Sequence, residues 1–148
     1  MIVDVRITHE EINVNEVIKE MIKNSSSEGS LVMFLGYVKE FVDGHRVNKL
    51  IYEAYEPYST QILKRIASEV MDDDVTDVRV YHRVGVLRPH EPIIYIFVTA
   101  KNRSKAFEKC KELLERIKRE VPIFKLEVRD DGEYWIVGDG LRIKRDSL

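Results

Sequence analysis

The amino-acid sequence predicts a single α+β domain with a mainly antiparallel sheet and about three helices. Three observations carry this. Segments with a period of two alternate with segments of helical period in the order β-α-β-β-α-β-β-α-β-β. Turn signals at Asp43-Gly44 and at Asp130-Asp131-Gly132 join neighbouring strands too closely for a crossover, so those pairs are expected to run antiparallel. The length of 148 residues fits one domain, for which roughly 100–200 residues is usual.

Residues 2–8 alternate apolar and polar side chains and predict a first strand. Asn13 followed by Glu16 has the spacing of a capping box, and Val14, Val17, Ile18, Met21 and Ile22 then recur at helical spacing. Ser25 to Gly29 is a loop between elements. Ser30 to Lys39 is strand-like, Asp43-Gly44 turns, and a further strand runs from about Val47 to Tyr55. Pro57 suits the first turn of a second helix, whose apolar stripe is Ile62, Leu63, Ile66 and Val70. Strands follow near Val75–Val84 and Pro92–Ala100. The third helix spans about Ser104–Glu120, with Phe107, Cys110, Leu113, Leu114 and Ile117 on its inner stripe, and Pro122 ends it. Ile123–Arg129 and Glu133–Val137 form a last hairpin, and residues 138–148 are a tail for which no element is predicted.

The composition excludes several function classes. Apolar residues make up 44% of the chain, enough for a core, which excludes intrinsic disorder. Lys plus Arg number 24 and Asp plus Glu 26, a net charge of −2, so no global field draws nucleic acid and any anion site must be local. Cys110 is the sole cysteine, which excludes an intrachain disulfide and a C-x-x-C pair. Charges near the start break any signal-peptide pattern, and the longest apolar run, Ile93–Ala100, is too short to span a bilayer. A cytoplasmic protein without membrane or nucleic-acid partners is expected.

No nucleotide-binding glycine loop, H-E-x-x-H or G-x-S-x-G motif is present, and His9, His45, His82 and His90 have no metal-ligand spacing. Cys110 reads as core, because its apolar stripe raises a thiol pKa. Lys118, in the last turn of the third helix, and Lys125, on the strand after Pro122, are candidates for one anion site. Alternation sends Lys125 to the face opposite Phe124, Leu126 and Val128, and a tight reversal at Pro122 would bring the two ammonium groups together. The competing reading, commoner on spacing alone, has Lys118 complementing the helix C-terminus and Lys125 solvated. Asn102 and Arg103 stand at the N-terminus of that helix, as an anion contact or as a plain cap with a surface arginine. Lys39 and His45-Arg46 lie on a hairpin that is either a cover over an anion site or a solvated turn. His82 shares a face with Val78 and Val80 and reads as a satisfied, semi-buried histidine, with a catalytic one as the less common alternative. Tyr52 and Tyr55 read as packing residues or as the lining of an aromatic interface.

Read in order, Gly29–Lys39, Val47–Tyr55, Val80–Gly85, Asn102–Phe107, Lys118–Lys125 and Trp135 resemble the catalytic, large-subunit family of molybdopterin synthase. The resemblance covers about Ile2 to Val137. It implies an α/β-hammerhead fold, a homodimer, and a small ubiquitin-like sulfur-carrier subunit bound at each end, with no metal and no bound cofactor. The carrier's C-terminal Gly-Gly thiocarboxylate would enter a pocket and give its sulfur to cyclic pyranopterin monophosphate, forming the dithiolene of molybdopterin. Lys118 and Lys125 match the family's active-site lysines, and Arg103 matches an anion contact. Asn102 stands where the family often has His, and Lys39 where it more often has Arg, which keeps the charge but loses the bidentate fork. Two other classes stand beside this one. A non-enzymatic module would bind the carrier tail without consuming the thiocarboxylate. A single-strand nucleic-acid binder would need an aromatic-basic cluster that the chain lacks.

Overall fold

Alternating and helical-period segments take up their expected conformations in a computed structural model that describes residues 1–137 and 140–145. The elements are β1 (Ile2–Thr8), α1 (Val14–Lys23), β2 (Ser30–Tyr37), β3 (Phe41–Val42), β4 (His45–Ala54), α2 (Tyr58–Glu69) and β5 (Val75–Arg83). They continue with β6 (Gly85–Leu87), β7 (Pro92–Ala100), α3 (Arg103–Glu120), β8 (Ile123–Arg129), β9 (Gly132–Val137) and β10 (Leu141–Lys144). No helix among the described residues is long and apolar enough to cross a membrane.

The strands form two sheets rather than one. The first has the order β1-β5-β7-β2, and the second runs β10-β9-β8-β4, with β3 and β6 along the other edge of β4. Pairing is antiparallel except between β1 and β5, which run parallel from Ile2↔Asp77 to Thr8↔Arg83. The turn at Asp43-Gly44 does make a hairpin, but between β3 and β4; β2 leaves for the first sheet and pairs with β7. The physical reason is burial. β2 presents Leu31 and Met33 to one face and Val32 and Phe34 to the other, so both faces need cover, and only the helix-flanked first sheet provides it. Asp43 and Gly44 supply the positive φ values, 52° and 78°, that the tight turn requires.

Around the first sheet the helices make three layers. Val17 and Met21 of α1 pack on Tyr81, Tyr95 and Phe97, while α2 and α3 cover Val78, Val80, Ile94, Ile96 and Val98 on the opposite face. Asn13 caps α1 by accepting from the Glu16 amide at 3.2 Å. The inner stripe of α3 is Ala106, Cys110, Leu113 and Ile117. Phe107, expected on that stripe, is 63% exposed, because it lies about 100° around the helix from Ala106. Ile22 is likewise off the narrow inner stripe of α1 and exposed. The tail, without a predicted element, contributes β10, which extends the second sheet beside β9; residues 138, 139 and 146–148 lie outside the described residues.

Candidate functional site

The two sheets and the C-terminal end of α3 enclose a cavity of about 450 Å³, a size suited to a small organic ligand. One register row builds its floor. Tyr52 of β4 lies opposite Lys125 of β8, Lys125 opposite Ile136 of β9, and Ile136 opposite Arg142 of β10. In-register neighbours point to the same face, and all four side chains line the cavity. Phe34, Ile94, Leu114 and Ile117 supply apolar wall from β2, β7 and α3. Lys118 reaches the cavity from the last turn of α3 and Lys39 from the segment after β2.

The reversal at Pro122 brings the lysines together as its spacing suggested. The Val121 amide donates to the Ile117 carbonyl at 3.1 Å, closing the helix, and β8 begins two residues later. Ser59, buried at the start of α2, pins the turn: its hydroxyl lies 2.8 Å from the Pro122 carbonyl and accepts from the Tyr55 amide at 2.9 Å. Ser59 carried no recognisable signal in the sequence, because its partners lie on another element.

Alternation along β8 holds, but the solvated reading of Lys125 does not. The outer face carries Phe124, 55% exposed, while the face of Lys125 also carries Glu127, 2% exposed, and buried Arg129. Burial chiefly pushes the Lys125 ammonium below the usual lysine range, and the positive charges of Arg142, Lys118 and Lys39 push the same way; Glu127 opposes them. The ammonium sits 5.5 Å from the centroid of the Tyr52 ring. Glu127 is itself held by Arg142, whose guanidinium donates to its two oxygens at 2.9 and 3.3 Å. The cavity therefore has cationic groups on several sides and a buried carboxylate just behind them.

His82, at the end of β5, lines the same cavity on the face of Val78 and Val80, as alternation required. Its ring meets Tyr52 edge-on, with centroids 5.4 Å apart and planes at 68°. Asn102 and Arg103 are not brought to this cavity. The Asn102 side chain caps α3, accepting from the Lys105 amide at 2.9 Å, and Arg103 is exposed at that end of the helix. Fifteen residues of α-helix put Arg103 about 22 Å from Lys118 along the axis. Cys110 is core, with burial pushing its thiol up to about 11. On the hairpin, Arg46 pairs with Glu40 at 2.9 Å.

Among the described residues, His45, Asp130 and Asp131 form a group with ligand atoms close enough for a metal. Its atoms are already engaged. His45 Nδ1 and Nε2 face Asp130 and Asp131 at 3.0 and 3.4 Å, and Arg129 holds both oxygens of Asp131 at 2.8 Å. A cation there would have to displace a guanidinium, so the group is an ion-pair cluster at the β8–β9 turn.

The profile of the MoaE protein family matches residues 7–120, which include α3 and the whole first sheet save the start of β1. The chain belongs to the MoaE protein family. Among its relatives, the molybdopterin synthase catalytic subunit of Pyrococcus abyssi is 41% identical over 131 residues, 88% of this chain and 87% of the relative. The molybdopterin synthase catalytic subunit of Bacillus subtilis is 39% identical over 136 residues, 91% of this chain and 85% of the relative. The crystal structure of molybdopterin synthase from Staphylococcus aureus superimposes with a TM-score of 0.78 at 30% identity, covering 87% of this chain and 93% of that one. The hammerhead-type α+β architecture expected from the resemblance is the fold observed.

Proposed function

We propose that this chain is the catalytic subunit of a molybdopterin synthase. In this reading it transfers sulfur from the C-terminal thiocarboxylate of a small ubiquitin-like carrier to cyclic pyranopterin monophosphate, forming the molybdopterin dithiolene in the cytoplasm. The observation that carries the reading is the cavity: Lys125 and Arg142 in one register row, joined by Lys39 and Lys118, against an apolar wall. A flat heterocycle bearing a phosphate needs both surfaces, and a thiocarboxylate tail adds a second anion for the same cations to hold.

The division of labour follows from burial. Lys118, exposed where it lines the cavity, holds the incoming tail and stabilises the oxyanion that forms when water attacks the acyl carbon, before the C–S bond breaks to leave the sulfur on the pterin and a carboxylate on the carrier. Lys125, whose ammonium is destabilised by burial, is the group whose proton moves most readily during the transfer. Lys39 and Arg142 hold the phosphate. Asn102 and Arg103, at the far end of α3, serve the cavity of the second copy in the homodimer.

A single-turnover assay tests this. The protein is mixed with thiocarboxylated carrier and cyclic pyranopterin monophosphate, and dithiolene product and carrier mass are followed together. Wild type is expected to form product, and Lys118→Ala to lose at least ~100-fold in rate while its unfolding free energy stays within about 0.5 kcal/mol of wild type. Carrier bound with its thiocarboxylate intact would make the chain a tail-binding module. A collapse in the variant's thermal stability would make Lys118 structural.

A further inference from the structure

The four cations of the cavity, Lys39, Lys118, Lys125 and Arg142, can only donate hydrogen bonds. A heterocycle that carries its own N–H and O–H groups also needs an acceptor. We propose that His82 Nε2 is that acceptor, receiving a hydrogen bond from a neutral ring N–H, amino or hydroxyl group of the bound pterin. This deepens the proposed function and rests on it.

The tautomer follows from geometry. His82 Nδ1 lies 2.7 Å from the Arg83 carbonyl oxygen, which can only accept, so Nδ1 carries the proton and Nε2 the lone pair. The Arg83 carbonyl shares its peptide plane with the Val84 amide, which donates to the Thr8 carbonyl at 2.9 Å and so fixes that plane. Among the described residues Nε2 takes no hydrogen bond, nor is it one of the fully buried polar atoms left without a partner. His82 lines the cavity, although the residue is only 7% exposed.

The charged group facing the ring is Lys125 on β8, beyond Tyr52 of β4, and the backbone contact is the Arg83 carbonyl. Burial above all, with the Lys125 charge adding to it, pushes the imidazole down to about 4 against the pull of that carbonyl. His82 thus stays a neutral acceptor at physiological pH. The cations then bind the anionic end of the ligand, and His82 distinguishes the heterocycle from a bare phosphate.

Two variants separate this from a purely structural role. In His82→Asn the amide keeps a donor for the Arg83 carbonyl and removes the acceptor at Nε2; His82→Gln returns an amide oxygen near Nε2. Binding of cyclic pyranopterin monophosphate is followed by its fluorescence without thiocarboxylated carrier, and inorganic phosphate is titrated separately. His82→Asn is expected to weaken pterin binding about tenfold or more, to leave phosphate binding unchanged and to melt like wild type, with His82→Gln closer to wild type. Pterin binding by His82→Asn equal to wild type overturns the assignment, as does an equal loss for pterin and phosphate. Wild-type protein that neither binds nor converts the pterin overturns the proposed function itself. Normal wild-type turnover beside an unaffected His82→Asn overturns the His82 inference alone.

Discussion

Lys125 is a costly choice for its position, which is why it points to function. A folded-state pKa below the unfolded value means the native protein binds that proton more weakly than the unfolded chain does. The sign follows: at neutral pH the charged lysine destabilises the fold, and the penalty disappears as pH rises to the ordinary lysine value of 10.5. Lys125→Met keeps the length and apolar stem while removing the charge, and Glu127 retains Arg142. The variant should gain on the order of 1 kcal/mol in denaturant unfolding at pH 7, with the gap to wild type narrowing toward pH 10, and should lose turnover. A variant less stable than wild type would mean that the lysine's attraction to Glu127 outweighs its burial.

At the scale of elements, the site depends on how the end of α3 is joined to β8. Lys118 and Lys125 sit on different elements, and only the Pro122 reversal relates them. Ser59 on α2 holds that reversal from outside, by one hydroxyl shared between the Pro122 carbonyl and the Tyr55 backbone. Ser59→Ala leaves the Tyr55 amide and the Pro122 carbonyl, both part-buried, without that hydroxyl, which costs about 1 kcal/mol. Thermal unfolding should register the loss, and single-turnover rates should fall further than the pterin affinity does, since the relative placement of the two lysines is what slackens. Unchanged stability and rate would mean that β-pairing of Ala54 with Ile123 positions the turn unaided. The same locality makes part of the fold legible in the sequence. Period-two and helical-period segments marked most elements in the right places, whereas β3, β6 and β10 are two to four residues long and too short to carry a period of their own.

The molecule as a whole separates Arg103 from Lys118 by the length of α3, so one copy cannot use both residues on one small ligand. Assignment of Arg103 to the cavity of the second copy makes a complementation test possible. Arg103→Ala and Lys118→Ala, each expressed alone, should show little turnover. Co-expressed, they form mixed dimers in which one cavity keeps both groups, and about a quarter of wild-type activity should return under random pairing in a symmetric dimer. Full turnover by Arg103→Ala expressed alone would place Arg103 outside the reaction, and no recovery on co-expression of two inactive variants would confine its action to its own chain.

The sequence by itself determined the local conformation of most of the chain, the face on which each strand residue stands, and, through six ordered blocks, the family. Periodicity and turn chemistry act over a few residues, so these are legible without the fold. Which strands share a sheet was decided only in three dimensions: β2 and β4 are separated in sequence only by the two-residue β3, yet join different sheets because β2 needs cover on both faces. The same holds for the site. Alternation put Lys125 opposite Phe124, but which of those two faces would be enclosed depended on the first sheet, on α3 and on a β10 strand from the tail. Charge cost, tautomer and cavity all arise from residues distant in sequence meeting with water excluded, and that is a property of packing.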